Sequence, residues 1–268
     1  MQRISAKILS NLRIGPDYYK MVLDIPTLEE KIRPGQFINI KITDFMDPFL
    51  RRPFSIHRIG ARQRVIEILY KIVGRGSALL ARRSRGTPLD IIAPLGNGFV
   101  VDKNVSNFIL IAGGMGVAPL LALADEIAQH RKNKLYVILG AKTKDSLLCR
   151  DEFKALGSDV EMVTDDGSLG KKALATDVLI EKLEKIKPTL VIADSKPAVC
   201  VYACGPSEML KEAAQIVKRH RISCQASFEE HMACGIGACM GCSILTVDGY
   251  KRVCADGPVF DMSKVVWK

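Results

Sequence analysis

The sequence predicts three regions in chain order: a six-stranded antiparallel β barrel, an α/β domain with a parallel sheet, and a small C-terminal domain organised by cysteines. Three observations carry this prediction. The first hundred residues consist of short β segments separated by turn signals, strands then alternate with helices, and four of the eight cysteines cluster near the carboxyl end. The predicted boundaries are 1–102, 103–222 and 223–268.

The N-terminal region contains six short apolar or alternating segments that predict β strands. Gly15-Pro16, Pro34-Gly35 and Asp47-Pro48 are turn signals between them. Six short antiparallel strands in about 100 residues favour a closed barrel, because closure removes exposed sheet edges. The predicted strands are Ile4–Ser10, Tyr19–Leu23, Phe37–Ile42, Phe54–Ile59, Arg64–Lys71 and Pro88–Ile92.

The periodicity of apolar residues changes in the middle region of the chain. Apolar strands alternate with helical stretches such as Leu120–His130 and Pro206–His220, which predicts a parallel sheet covered on both faces. Ligands of such sheets bind beyond the carboxyl ends of the strands. The predicted strands are Phe108–Ala112, Leu135–Ala141, Glu161–Thr164 and Val199–Ala203.

Charge and hydropathy argue against several other functions. The net charge is +10, concentrated in the first 104 residues, yet no nucleic-acid recognition motif accompanies it, so a bound diphosphate and an acidic partner surface explain it better. The uncharged run Val105–Ala124 matches a membrane span in length, but glycines and Pro119 interrupt it, and we expect no membrane association. Eight cysteines without a recognisable signal peptide indicate a reducing, cytoplasmic location.

The cysteine cluster carries the most specific signal. Cys234, Cys239 and Cys242 form a C-x4-C-x2-C run, and Cys254 follows after eleven residues. This is the spacing of plant-type [2Fe–2S] sites. Glycines inside the run allow tight turns and bring N–H groups near the sulfurs. A zinc site is the alternative, although zinc knuckles normally show two CxxC pairs or include histidine. We predict the four cysteines as ligands of a [2Fe–2S] cluster.

The segment Arg52-Pro53-Phe54-Ser55 resembles the Arg-x-Tyr-Ser motif of ferredoxin–NADP reductase-like flavoproteins. The resemblance implies that Arg52 pairs with the FAD diphosphate and that the aromatic ring and serine contact the ribityl chain and isoalloxazine. A planar guanidinium suits phosphate oxygens. Phe54 stands where the family has tyrosine, so one hydroxyl contact is lost.

Two further segments match the flavin site of the same family. These are Leu69-Tyr70-Lys71 and the turn ending in Gly76-Ser77, which opens a predicted helix. A helix start presents free N–H groups to phosphate. By itself such a small-residue turn is more often a simple helix start; its place after Arg52 is what matches the second FAD phosphate contact.

Two loops resemble the pyridine nucleotide site of the same reductases. Gly113, Gly114 and Gly116 belong to a Gly-Gly-x-Gly-x-x-Pro loop, and Cys204-Gly205-Pro206 resembles the Cys-Gly-Pro turn beside the nicotinamide. By its chemistry alone Cys204 is more often a small buried residue, whereas the resemblance implies that it lies near the hydride path. Asp165-Asp166 suits ribose hydroxyls and opposes a 2′-phosphate, so we predict NADH over NADPH.

Taken over its full length, the chain resembles the electron-transfer subunits of class 1B dihydroorotate dehydrogenases, most specifically in the segment from Glu230 to Cys242 and in Cys254-Ala-Asp-Gly-Pro-Val-Phe260. The resemblance implies relay of electrons between NAD(H), FAD and the [2Fe–2S] cluster. It also implies an FMN-containing catalytic subunit as partner, in a heterotetramer with two of each chain, serving pyrimidine (UMP) biosynthesis. Two alternatives stay open: the small subunit of an NADH-dependent ferredoxin–NADP reductase or sulfide dehydrogenase, and a zinc-bearing interaction module.

Overall fold

The computed structural model describes residues 1–26, 28–60, 63–130, 132–186 and 199–267. Contacts divide the chain into two compact units, the first made of residues 1–99 and 228–259, the second of residues 100–227 and 260–268. The predicted domain boundaries at 102 and 222 stay predictions.

The first unit contains the predicted six-stranded antiparallel barrel, which is confirmed. Its strands close in the order β1-β2-β5-β4-β3-β6. β-Branched and other apolar side chains, including Ile8, Met21 and Ile56, fill the interior. A short helix, α1 (Arg75–Ala81), follows β5. The strands are β1 (Gln2–Arg13), β2 (Tyr18–Asp24), β3 (Phe37–Ile40), β4 (Arg52–Ile59), β5 (Val65–Lys71) and β6 (Pro88–Leu95).

Strand β1 is longer than the sequence pattern predicts because it serves two neighbours. Its first half, Gln2 to Lys7, pairs with β6, and its second half, from Lys7 to Arg13, pairs with β2. The register shifts between Ile8 and Ser10, where the strand passes from one neighbour to the other. A strand that pairs with two different neighbours along its length therefore extends beyond the apolar pattern of either half.

The second unit is built on a sheet in the order β10-β9-β8-β7-β11-β12-β15, in which the pairs from β10 to β12 are parallel. The predicted parallel α/β domain is therefore confirmed. Its elements are β7 (Asn107–Gly113), α2 (Leu120–Ala128), β8 (Lys134–Ala141), α3 (Arg150–Ala155), β9 (Asp159–Thr164), β10 (Lys171–Lys172), α4 (Ala175–Ile186), β11 (Val199–Cys204), α5 (Ser207–His220), β12 (Ser223–Ser227) and, after the cysteine region, β15 (Val259–Asp261).

Between β12 and β15 lies the cysteine region. It contains a hairpin, formed by β13 (Ser243–Thr246) and β14 (Gly249–Arg252) with Thr246 opposite Gly249. The left-handed φ of +91° at Gly249 suits a tight hairpin turn. The hairpin returns the chain from Cys242 toward Cys254.

The uncharged run Val105–Ala124 is divided between β7, a 3₁₀ turn at Gly114–Val117 and the start of α2. Across the described ranges, no helix combines the length and apolar character that a membrane crossing requires.

Candidate electron-transfer site

Strand β4 begins at the first residue of the predicted flavin motif. Arg52 donates to the carbonyl oxygens of Leu50 at 2.7 Å and Arg51 at 3.3 Å, and within the described ranges it has no carboxylate partner. The preceding arginine is occupied differently, since Arg51 donates to Asp90 Oδ1 at 2.9 Å. Although burial opposes it, hydrogen bonds from arginines hold the pKa of Asp90 below its ordinary value. Of the two adjacent arginines, only Arg52 is therefore without a carboxylate partner in the described ranges, and its charge is available to a ligand.

The turn before α1 lies against Arg52. A Cβ built on Gly76 would stand 3.1 Å from Arg52 Nε, so a side chain there would crowd the guanidinium. The Ser77 hydroxyl is buried and accepts hydrogen bonds from the Val73 and Gly74 amides at 2.9 and 3.3 Å. The Ser77 hydroxyl is therefore occupied by hydrogen bonds within the turn. The first backbone N–H groups of a helix, in contrast, have no intrahelical acceptor. A guanidinium beside such amides is a donor set that fits a diphosphate.

The aromatic residues of the predicted flavin site pack on one another. The Phe54 and Tyr70 rings meet edge to face with centroids 5.6 Å apart, and Tyr70 stacks on Tyr19 at the same distance. The Tyr70 hydroxyl donates to Asn11 Oδ1 at 2.9 Å, and burial raises the pKa of Tyr70. Lys71 Nζ lies 5.2 Å from the centre of the Tyr18 ring.

Because Leu69 and Tyr70 are both 2% exposed, their side chains belong to the packed interior. Any contact of the segment 69–71 with a cofactor would therefore use backbone groups or Lys71.

The two predicted nucleotide loops meet at the carboxyl edge of the parallel sheet. Strands β7 and β11 are neighbours, with Ala112 opposite Cys204. A Cβ on Gly116 would lie 2.0 Å from the Cys204 carbonyl oxygen, and one on Gly205 would lie 2.9 Å from the Gly113 nitrogen. Backbone therefore packs directly on backbone between the loops.

The same loops leave space where a ligand would bind. A Cβ on Gly113 would meet Pro206 Cδ at 2.6 Å, whereas one on Gly114, at φ +53°, would meet nothing within 4 Å. Cys204 is 9% exposed. The structure thus brings together all six residues predicted for the nicotinamide nucleotide, at the edge where parallel sheets bind ligands.

The acidic turn after β9 lies at the same sheet edge. The Asp165 amide donates to the Ala141 carbonyl at 3.0 Å, which ties the turn to the end of β8. Asp166 Oδ1 accepts from the Ser168 hydroxyl at 2.6 Å and from the Ser168 amide at 2.9 Å, and these bonds lower the pKa of Asp166. Asp166 shapes the turn, so exposed Asp165 is the better candidate for ribose hydroxyls.

Backbone amides in the cysteine region point at the sulfurs. The Ile236 and Ala238 amides donate to Cys234 Sγ at 3.5 and 3.3 Å, and the Gly237 amide donates to Cys254 Sγ at 3.1 Å. Burial works to raise the pKa of Cys234, but these donors and Cys239 lower it to about 6. The loop is therefore built to stabilise a thiolate.

The other thiols differ in exposure. Cys239 is exposed, whereas Cys242 and Cys254 are each 2% exposed, and the Cys254 amide donates to Cys242 Sγ at 3.4 Å. Burial and the neighbouring Cys242 raise the pKa of Cys254 to about 12. Within the described ranges, no three His, Cys, Asp or Glu side chains converge as ligands of a single ion. A [2Fe–2S] core takes four thiolates spread over two irons, and four thiols with amide donors to sulfur are the donor set it needs.

An arginine that the sequence analysis left without a role secures the ligand loop. Arg252 Nη1 donates to the Gly237 carbonyl at 2.6 Å, and Arg252 Nε donates to Asp256 Oδ2 at 3.0 Å. Gly237 has φ +86°, and a Cβ there would stand 2.8 Å from the Ala255 Cβ. The positive charge is thereby fixed beside the sulfurs.

A barrel residue absent from the predicted set also reaches the loop. Asn39 of β3 donates from Nδ2 to the Cys234 carbonyl at 3.3 Å. The one sequence signal is an amide inside the otherwise apolar strand Phe-Ile-Asn-Ile.

Comparison with known proteins gives consistent matches. The family model described as the iron-sulfur cluster binding domain of dihydroorotate dehydrogenase B matches residues 229–266, and the oxidoreductase NAD-binding domain matches residues 110–215. The electron transfer subunit of dihydroorotate dehydrogenase B (NAD(+)) from Desulforamulus reducens is 34% identical over 98% of both chains. The subunit of the same name from Fusobacterium nucleatum is 39% identical over 95% of both chains.

Solved structures extend the likeness. The structure described as an NADH-dependent reduced ferredoxin-NADP oxidoreductase, studied for flavin-based electron bifurcation, aligns with a TM-score of 0.81 and 27% identity over 97% of this chain and 89% of the other. Phthalate dioxygenase reductase aligns with a TM-score of 0.64 and 23% identity over 81% of this chain and 64% of the other, which shows a shared fold.

Proposed function

Because the chain belongs to the family of dihydroorotate dehydrogenase B electron transfer subunits, we propose that it relays electrons between NAD(H) and a catalytic partner subunit. The observation that carries the proposal is the four-cysteine loop, whose amides point at sulfur and whose backbone is hydrogen-bonded to the barrel that carries the flavin motif. When bound, FAD would supply a centre able to accept two electrons together from a nicotinamide and to release them singly to a [2Fe–2S] cluster.

The chain's own residues bind and orient these groups. We assign Arg52 and the amides at Gly76 and Ser77 to the FAD diphosphate, because this guanidinium lacks a carboxylate partner in the described ranges and lies against the helix start. The carbonyl of Leu50 accepts a hydrogen bond from the guanidinium and orients it. Phe54 then offers an apolar ring beside the flavin, a role for which no proton transfer is needed.

The glycine loops at the carboxyl edge of the parallel sheet bind the nicotinamide nucleotide. Gly113, Gly116 and Gly205 permit the close backbone packing of the two loops, and Cys204 lies at their junction. Holding two rings in reacting geometry is the main catalytic contribution expected of such a site. Asp165 favours the free ribose hydroxyls of NADH.

Cys234, Cys239, Cys242 and Cys254 bind the two irons as thiolates. The amide hydrogen bonds and the Arg252 guanidinium offset their negative charge, which is how a protein tunes such a centre. None of the eight cysteines, all of which lie in the described ranges, forms a disulfide, which fits a cytoplasmic protein.

The partner, in this proposal, is an FMN-containing subunit that interconverts dihydroorotate and orotate in pyrimidine biosynthesis, in an assembly with two of each chain. The test is co-expression with such a subunit, followed by an NADH–orotate assay and by electron paramagnetic resonance (EPR) of the reduced complex. We expect NADH-dependent orotate reduction and a signal from a reduced [2Fe–2S] cluster. Cys242→Ser should abolish both, while Cys200→Ser, a buried cysteine outside the loop, should preserve both.

One observation favours a second candidate, the small subunit of an NADH-dependent ferredoxin–NADP reductase, since such a structure aligns over 97% of this chain. Its 27% identity is below the 34–39% of the dihydroorotate dehydrogenase subunits. Co-purification of a large FAD and [4Fe–4S] partner would support this candidate. A colourless protein that contains zinc and no iron would overturn both.

A further inference from the structure

Asn39 is a buried polar residue on the barrel strand that pairs with the flavin motif. It is 1% exposed and lies directly opposite Pro53 on β4. Opposite residues of an antiparallel pair share one face of the sheet. Asn39 and Pro53 therefore face the same way, whereas the neighbouring pair, Ile38 and Phe54, packs with the barrel core.

One half of the Asn39 amide is tied to a cluster ligand. Nδ2 donates to the Cys234 carbonyl oxygen at 3.3 Å, across 195 residues of sequence. A carbonyl oxygen only accepts, so the atom that faces it must be the nitrogen. A Cβ on Gly235 would stand 2.3 Å from that nitrogen, and Gly235 has φ +68°. The loop thus has glycine at the position where the Asn39 amide approaches.

The other half of the amide has no donor. Asn39 Oδ1 is buried, and no hydrogen-bond donor reaches it from the described part of the chain. Pro53, the residue opposite, has no N–H to offer. Buried acceptors in native proteins are almost always satisfied, because burial removes their hydration. An amide at this position is therefore explained by its nitrogen, which makes the one side-chain hydrogen bond that Asn39 has in the described part of the chain.

We propose that Asn39 is a positioning residue for electron transfer from flavin to cluster. Its Nδ2 holds the backbone of Cys234 against the flavin-binding barrel, on the strand that pairs with the flavin motif. The inference rests on the proposed function and deepens it, because it names the residue that couples the two cofactor sites within the first unit.

The test compares the full-length protein, purified with FAD and cluster, with three variants. Asn39→Leu removes both halves of the amide at similar volume, whereas Asn39→Asp keeps an acceptor oxygen and loses the donor. Gln36→Leu is the matched control, since Gln36 is another buried amide of the barrel whose bonds go to Arg33 and Gly96 at 2.8 Å. Stopped-flow absorbance separates flavin reduction by NADH from cluster reduction, EPR reports the cluster, and FAD fluorescence gives its Kd.

For both Asn39 variants we expect unchanged flavin reduction by NADH, slower cluster reduction and shifted EPR g-values at full iron content. The FAD Kd should equal the wild-type value in both variants, because the buried amide contacts the cluster loop and not the cofactor. Gln36→Leu should match the wild type in all of these measurements.

The outcomes separate the inference from the function. A wild-type protein without a cluster signal would overturn the proposed function. A wild type that relays electrons, with an Asn39→Leu variant whose cluster reduction and g-values equal those of Gln36→Leu, would overturn the inference alone. Weaker FAD binding in Asn39→Leu than in Gln36→Leu would also overturn the inference, because Asn39 would then act on the flavin site and not on the cluster loop.

Discussion

Substitution of Gly116 by alanine should block electron entry from NADH without disturbing the flavin or the cluster. Gly116 lies in the loop after β7, and its missing Cβ would stand 2.0 Å from the Cys204 carbonyl oxygen and 2.3 Å from the Cys204 carbonyl carbon. Both atoms are backbone, so no side-chain rotation relieves the contact. One of the two nucleotide loops must move.

The size of the movement follows from the distances. Ordinary van der Waals contact begins at 3.4 Å, so the loops must separate by about 1.4 Å from their 2.0 Å approach. A misplacement of about 1 Å at a reacting centre can lower a rate about 100-fold, or about 2.7 kcal/mol in transition-state free energy. Overpacking of this kind also costs about 1–3 kcal/mol of folding free energy. We therefore expect kcat/KM for NADH to fall about 100-fold.

The assay measures flavin reduction by NADH and, separately, by dithionite, which bypasses the nucleotide site. Gly114→Ala is the comparison within the loop, because its methyl group would meet nothing within 4 Å and adds only the strain of a φ of +53°. Gly157→Ala, remote and equally uncrowded, controls for lost stability. A folded Gly116→Ala protein that NADH reduces as fast as Gly157→Ala would refute the reasoning.

Three further predictions test the other parts of the relay. Arg252→Met should lower the cluster reduction potential in an EPR-monitored titration, because it removes a positive charge that is held at the ligand loop. Lys251→Met, the same charge change next to it, should shift the potential less, and equal shifts would contradict the role of the Gly237 contact. Asp165→Asn should raise kcat/KM for NADPH relative to NADH, and an unchanged ratio would remove Asp165 from the ribose site. Cys204→Ser should slow flavin reduction by NADH while leaving the melting temperature and dithionite reduction unchanged; a wild-type NADH rate would show that Cys204 only fills space.

Much of the architecture was predictable because it is encoded locally. The barrel strands, the parallel α/β region and the cysteine spacing are patterns within short windows, and the structure has the barrel, the sheet and the hairpin between Cys242 and Cys254. Strand lengths were less predictable. β1 extends beyond its apolar pattern because two different neighbours pair with its halves.

The roles of individual side chains needed the tertiary structure. The motif singles out Arg52 in the sequence, but only the fold shows that the adjacent Arg51 is bound to Asp90. Tyr70 belongs to a segment predicted to contact the cofactor, yet its hydroxyl is engaged with Asn11 inside the barrel.

The sequence alone determined the kinds of site, because cysteine spacing and glycine loops are short-range requirements of the groups they bind. The tertiary structure alone decided which residues support those sites. Asn39 donates a hydrogen bond to the carbonyl of Cys234 across 195 positions of sequence. Gly116, in the loop after β7, packs on the carbonyl of Cys204 at the end of β11. Such contacts follow from strand order and packing, which the local periodicity of the sequence does not encode.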